Sequence, residues 1–384
     1  MKRQRSWSKA RAAAPAALFL AALALASCGR PVLKVALLTK LEAGSVVGAS
    51  EVNAATLFLE DRAARRNGAG AGPRDGSAAG RPARDIEIVP FDDGWDPDKA
   101  VAAYGKARAE GFSFFVTSHT STCAVRLAEP MRQDGVLAMV TGSTTTLLSG
   151  KDDLILRDVP DLRFEQEAIA RYVAGLPGRD VLVILDLDNE AYTLPALEAF
   201  KAALGSGKRV AEERIRMSAL DIERIRSVVS STPYDTLYVL VGAYQATAGS
   251  FAQLSMAARP AARVVFTPWL NSPALAATAG PALAVSTLPS HYPPKGSSPE
   301  VDAYIARFKA RFGYAPTLIS LNVYKALEVL AAAWDSGAAT PEACKLWIVG
   351  KGRVPTSLGE ALFDAAGDSS SPFYMIENPV AELR

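Results

Sequence analysis

Histidine and cysteine are scarce: two and three among 384 residues, with no metal-ligand spacing between them, so nothing in the chain argues for a zinc site or any other metal. G-x-S-x-G, G-x-x-x-x-G-K-S/T and H-E-x-x-H patterns are all missing, and no nucleophile stands beside a base in a recognisable setting. Hydrolysis and nucleotide chemistry therefore have no support, and the chain reads as no enzyme. A basic excess is missing too: the formal charge is +2, which gives no reason to expect a nucleic acid partner. What is abundant is apolar material, 49% of the residues, enough for the core of one large or two medium domains.

The apolar run Ala13–Ala26 carries no charge but is too short to span a bilayer comfortably. Lys2, Arg3, Arg5, Lys9 and Arg11 precede it and Leu25-Ala26-Ser27-Cys28 closes it. A positive start, an apolar middle and small residues before a cysteine make residues 1–27 a signal peptide, and the ending resembles the lipobox at which bacterial lipoproteins are cut and acylated. Cys28 is then the lipidation site and 28–31 a short tether to a membrane on the extracytoplasmic side. An ordinary secretory signal with an incidental cysteine is the alternative. Without residues 1–27 the chain keeps 37 basic against 40 acidic residues, a formal charge of −3, so the basic excess belongs to the signal. Cys123 and Cys344 remain in an oxidising setting; whether they pair depends on a separation the sequence does not fix.

Strand candidates recur at Val32–Leu38, Ile86–Val89, Phe112–Thr117, Val136–Val140, Val181–Leu185, Thr236–Val241 and Val264–Thr267, with helical segments between most of them. Ser50–Arg65, Pro97–Ala109, Phe164–Ala174, Leu194–Leu204 and Ala243–Ala258 are examples, the second started by Asp96 as N-cap and Pro97 at the first helical position. Such alternation predicts parallel sheets with helices on both faces. The Gly- and Ala-rich stretch Asn67–Arg84 predicts a surface loop; Pro73 and Pro82 interrupt it, so it is no phosphate cradle. Ligands of open α/β sheets bind beyond the strand C-termini. Here those ends read "SHTSTC", "TGSTTT", "DLDNEAY" and "GAYQAT". Two are hydroxyl clusters, which either cap helices or, with free N–H groups, hold an anion.

The order of several segments resembles the type I periplasmic binding proteins, in particular the branched-chain amino acid and amide-binding group. "FDDGWDPDKAVAAYGK" looks like the family's Asp-rich turn and helix, "LRDVPDLRFEQEAIARYV" like its first crossover, and "LDLDNEAYT" like its strand ending in an aspartate and a tyrosine. "YIARFKARFGYAP", "NVYKALEVLAAA" and "ALFDAAGD" follow in the family's order, so that the likeness runs from about Leu33 to Glu377. The resemblance implies two doubly wound parallel-sheet lobes joined by three crossover strands. The first lobe is expected over 32–160 plus 284–343, the second over 161–283 plus 344–384.

It also implies a ligand pocket between the lobes. By motif position Ser121, Ser143 and Thr145 form its oxygen-binding side, and Tyr192 packs on the ligand. Tyr244 lies near a second aromatic position. Either tyrosine could instead be an ordinary half-buried residue. Trp269 faces the cleft or the core, and His119 faces ligand or solvent. Three departures bear on specificity. Leu162 stands where amino acid binders carry the aspartate that holds the ligand ammonium, with Asp161 one residue early. Val47 replaces a covering aromatic, and Thr117-Ser118 a glycine. A buried ammonium without its carboxylate is costly, so the expected ligand is amino-acid-like, a carboxylate or an amide. The implied function is that of a substrate-binding lipoprotein handing a small molecule to the permease of an ABC importer, with no cofactor. The rival is a ligand-sensing or ligand-free regulator of the same fold that acts through a protein partner and has an occluded cleft.

Overall fold

The computed structural model describes residues 31–67 and 83–383. The signal segment, Cys28 and most of the Gly-rich stretch lie outside the described residues. The chain first alternates β1 (Val32–Thr39), α1 (Val46–Arg66), β2 (Asp85–Asp92), α2 (Pro97–Ala109), β3 (Phe114–Thr117), α3 (Ser121–Gln133), β4 (Leu137–Val140) and β5 (Ile155–Arg157). These strands make one sheet in the order β2-β1-β3-β4-β5, every pair parallel. A second series follows: α4 (Leu162–Gly175), β6 (Asp180–Asp186), α5 (Glu190–Leu204), β7 (Arg209–Ile215), α6 (Ile222–Ser231), β8 (Thr236–Leu240), α7 (Gln245–Ala258), β9 (Arg263–Val265), α8 (Pro273–Ala279) and β10 (Ser286–Ser290). The last series is α9 (Pro299–Phe312), α10 (Leu318–Asp335), α11 (Pro341–Lys351), β11 (Arg353–Thr356), β12 (Gly359–Phe363), β13 (Ser369–Ser370) and β14 (Tyr374–Glu377). The second sheet has the order β14-β10-β9-β8-β6-β7 and is parallel except for β14.

Strand alternation puts each sheet between two apolar layers. Leu33, Val35 and Leu37 of β1 enter one core, and Ala36 and Leu38 another. Val181, Val183 and Leu185 of β6 enter that same first core, while Leu182 and Ile184 enter a third. A side-chain period of two does this without further instruction. Helix starts follow local chemistry as well: the Asp96 carboxylate accepts from the N–H of Asp98 and Lys99, with Pro97 leading α2. Cys123 and Cys344 are buried and unpaired.

The chain passes between the sheets at residues 158–161, 291–298 and 371–373. These changes differ from the expected boundaries. Residues 284–343 were expected with the first sheet, yet β10 pairs with β9 and β14 in the second. Residues 344–384 were expected with the second, yet Gly367 accepts from the N–H of Arg157 and Asp368 binds its guanidinium. The reason is local: β10 reads "STLPS", whose hydroxyls and Pro289 hide a strand that is buried at all five residues.

Arg157 fastens the end of the first sheet. Its side chain is 1% exposed and donates to Asp368 Oδ1 at 2.9 and 2.7 Å, to the Thr145 carbonyl at 2.9 Å and to Ser149 Oγ at 2.7 Å. Asp368→Ala leaves that cation buried without its anion. It should destabilise the protein by about 3–5 kcal/mol in denaturant unfolding.

Candidate functional site

The C-terminal ends of β1, β3 and β4 bring three loops together. Thr120 caps α3, its hydroxyl accepting from the Cys123 N–H at 3.4 Å, and this places Ser121 in the first turn. Ser143, on the loop after β4, donates to Ser121 Oγ at 3.0 Å. The two loops approach closely because residue 142 is glycine: a Cβ there would lie 2.5 Å from the Ser118 carbonyl oxygen. Thr145 turns elsewhere, its hydroxyl accepting from the Leu147 N–H at 3.3 Å at the start of a short 3-10 turn.

The facing wall comes from the second sheet. Asn189 and Tyr192 open α5, Gly242 follows β8, and Trp269 follows β9. A Cβ at Gly242 would meet Asn189 Nδ2 at 2.9 Å and the Tyr192 ring at 3.3 Å, so glycine keeps both side chains in place. Tyr192 is buried and directs its hydroxyl away to Glu165 Oε2 at 3.5 Å. Glu165 also meets His291 Nε2 at 3.2 Å, and the His291 ring lies 5.6 Å from that of Trp269. Burial raises the Glu165 carboxyl above its ordinary range, with the His291 contact opposing.

Between the walls lies a cleft in two parts. The inner cavity has a volume of about 10 Å³, room for a single water. The outer chamber measures about 410 Å³, within the range of small-molecule sites. Trp95, Thr120 and Asn189 line both. The walls touch where Asn189 Oδ1 accepts from the N–H and hydroxyl of Thr122 at 3.3 and 3.4 Å. Trp95 and Tyr244 both face the chamber with left-handed backbones, φ 54° and 59°. Such conformations are strained for aromatic residues and concentrate at functional sites.

Under the inner cavity sits a buried titratable layer. His119 Nδ1 hydrogen-bonds Asp93 Oδ2 at 2.9 Å, and Asp93 Oδ1 accepts from the Trp95 N–H at 3.0 Å. Glu51 accepts from the hydroxyls of Thr39 and Ser118. Burial pushes Glu51 up to about 8, against the pull of those two hydroxyls, which favours its neutral form at neutral pH. In the outer chamber burial pushes Asp186 up to about 6.

The profile of the periplasmic binding protein family matches residues 32–376. The chain belongs to that family. Its fold is the type I form. The Leu/Ile/Val-binding protein BraC3 of Rhizobium johnstonii is 26% identical over 291 residues, 74% of this chain and 78% of that protein. The leucine-binding protein LivK of Thermotoga maritima superposes with a TM-score of 0.76 at 18% identity, covering 89% of this chain and 94% of that one. An ABC transporter solute-binding protein of R. palustris, solved with benzoate, gives 0.75 at 18% identity, covering 90% and 93%. Family and fold are those of substrate-binding proteins, which work outside the cytoplasm.

Among periplasmic binding protein features expected from sequence, the inner cavity brings together Ser121, His119, Tyr192 and Trp269. Ser143 joins them through Ser121, and Tyr244 lies on the outer chamber. Thr145 lines neither space; it caps and anchors Arg157. Leu162 is buried at the start of α4, its N–H donating to the Thr144 carbonyl at 2.7 Å, and Asp161 is taken up by Arg163 and Ser149. Sequence reasoning missed Trp95, Asn189, Asp93, Glu51 and the Glu165–His291 pair. "FDDGW" held a signal for two of them, since Gly-Trp in an Asp-rich turn marks an unusual backbone; nothing flagged Glu165 or His291.

Two outcomes follow for the layer beneath the cavity. Between about pH 4.5 and 8 the folded protein keeps the Glu51 proton that the unfolded chain releases, so this group lowers stability as pH rises. Glu51→Gln should remove that loss, gaining a few kcal/mol over the parent at pH 8 and little at pH 5 in denaturant melts. Gly142→Ala should cost about 1–3 kcal/mol by forcing the two hydroxyl loops apart.

Proposed function

We propose that this protein is an extracytoplasmic substrate-binding lipoprotein of an ABC importer, which captures a small ligand between two lobes and does no chemistry. The observation that carries the reading is the cleft itself. Hydroxyls and a helix start form one wall, aromatic rings the other, and a chamber of about 410 Å³ opens from the narrow inner end. In this reading each sheet with its helices is a lobe, the three passages are hinges, and closure completes the site. The permease recognises the closed form. Cys28 carries the lipid.

The ligand class follows from the oxygen-binding wall and from Leu162. Relatives are named for leucine, isoleucine and valine, and one neighbour holds benzoate. Leu162 supplies no carboxylate and Asp161 is occupied, which favours an amino-acid-like carboxylate or amide over a ligand with an α-ammonium. One observation favours the rival regulator: the inner cavity, at about 10 Å³, is nearly occluded. Motion separates the two. A binding protein opens and closes; a ligand-free regulator has no ligand to close on.

Small-angle scattering with saturating ligand should show a smaller radius of gyration than without; an unchanged radius across leucine, 4-methylpentanoate and benzoate supports the regulator. Ser121→Ala should weaken a carboxylate ligand by roughly ten- to a hundred-fold, the loss of one charge-assisted bond of about 1.5–3 kcal/mol. Cys28→Ser should release the protein from membranes or leave the precursor uncut; a native N-terminus at any residue other than an acylated Cys28, read by mass spectrometry, contradicts the anchor.

A further inference from the structure

Lining residues of the inner cavity include no Asp, Glu, Lys or Arg; His119 is the single basic side chain there. It is 1% exposed and its Nδ1 is committed to Asp93, itself fully buried. Its Nε2 has no hydrogen-bond partner among the described residues, although the residue lines the cavity. Trp95 lines the same cavity, and its Nε1–H is buried and without a partner. Buried polar atoms seldom remain unpaired unless something else binds them. Ser121 lines the same cavity, its hydroxyl accepting from Ser143 and so free to donate, and no acid lines this inner cavity, Glu42, Asp186 and Asp188 lining the outer chamber instead.

We infer that His119, oriented by Asp93, reads the charge of the ligand, so that the cleft takes a small monocarboxylate together with one proton. This rests on the reading of the cleft as a ligand site. Asp93 fixes the tautomer with hydrogen on Nδ1, which leaves a lone pair on Nε2 in the neutral ring. A carboxylate oxygen cannot sit against that lone pair. It is accepted when Nε2 takes a proton from solvent, while Nδ1–H stays on Asp93. The ring then bridges two carboxylates, one from the protein and one from the ligand. A neutral amide needs no such proton, because its NH₂ donates to Nε2 directly.

The surrounding charges are consistent with this. From α1 comes Glu51, whose raised range near 8 keeps it mostly neutral at pH 7 and leaves it to gain charge toward pH 8, a contribution that persists in His119→Gln and is read from that variant. From α3 comes Cys123, a thiol that burial pushes up to about 12. Asp96 is used in capping α2, and the exposed Lys99 runs past Gly94 outside the cavity. The loop after β4 offers hydroxyls and Gly142, and the facing wall offers Asn189, Tyr192 and Trp269 without charge to the inner cavity; Asp186, which burial pushes up to about 6, and Asp188 line the outer chamber beyond Asn189, so the His119→Gln profile separates their titration from that of the ring.

The test uses 4-methylpentanoate and 4-methylpentanamide, which share a shape and differ in charge, with leucine as the zwitterion. Calorimetry at one pH in phosphate and in Tris, whose ionisation heats differ, measures the protons exchanged. Expected are net proton uptake with 4-methylpentanoate and none with the amide, and carboxylate affinity that rises by at least several-fold from pH 8 to pH 6 while amide affinity stays flat. His119→Gln should abolish the uptake, flatten the pH profile and weaken 4-methylpentanoate by ten-fold or more. Asp93→Asn, a second and shape-preserving change, should reduce the uptake. Because the proton count is measured on the parent protein, the result does not depend on how well either variant folds. Carboxylate binding without proton exchange, or tighter binding of leucine than of 4-methylpentanoate, overturns the inference while leaving the binding reading intact. Absence of binding by all three, with an unchanged radius of gyration, overturns both.

Discussion

Polar groups buried at the ends of parallel strands have no water to turn to, and satisfying them is the constraint on which this structure depends. Most are satisfied locally. Thr120 and Thr145 cap, Ser143 meets Ser121, and Thr39 and Ser118 share the Glu51 carboxyl. Buried polar atoms without partners also occur elsewhere, at Arg62, Gln166, Arg263 and Tyr304 for example, but two ring nitrogens belong to residues that line one cavity. His119 Nε2 and Trp95 Nε1 both lack partners and both belong to walls of the inner cavity.

The same accounting links the cleft to the passages between sheets. Glu165, on the first turn of α4 after the passage at 158–161, meets His291 in the second passage, and His291 Nδ1 lies 3.4 Å from Ser371 Oγ in the third. The Phe373 ring, also in the third passage, lies 5.1 Å from His291 and 6.0 Å from Phe164. Tyr192, which lines the cavity, touches this cluster through its hydroxyl. Tyr192 is thus joined to residues of all three passages by direct contacts, without a long chain of intermediates. Parallel topology makes this arrangement cheap, since strand ends, helix starts and crossings all lie on one side of each sheet.

Much of the architecture was legible because long apolar strands and well-capped helices carry their own signals. The spans of β1, β6 and α2 follow from alternation and from Asp96-Pro97. The site was legible in part. Hydroxyl clusters after β3 and β4 pointed to the strand ends, where Ser121 lines the inner cavity and Ser143 hydrogen-bonds it. Thr145 looked the same in sequence, yet its hydroxyl caps a turn; one-dimensional spacing cannot separate a cap from a contact. The short hydroxyl-rich β10 was invisible, and with it the true point where the chain leaves the second sheet. Glu165 and His291 are 126 positions apart, and only folding pairs them. Buried ionisable groups of this kind are set by tertiary contacts and leave no local trace.

The most direct test of the central claim is a crystal structure of the protein grown with 4-methylpentanoate. The account predicts one molecule between the two sheets, its carboxylate within hydrogen-bond distance of Ser121, His119 Nε2 and Trp95 Nε1, and its apolar end toward Tyr192 and Trp269. An unoccupied cleft at saturating concentration, or a carboxylate bound away from His119 and the hydroxyl loops, would contradict it.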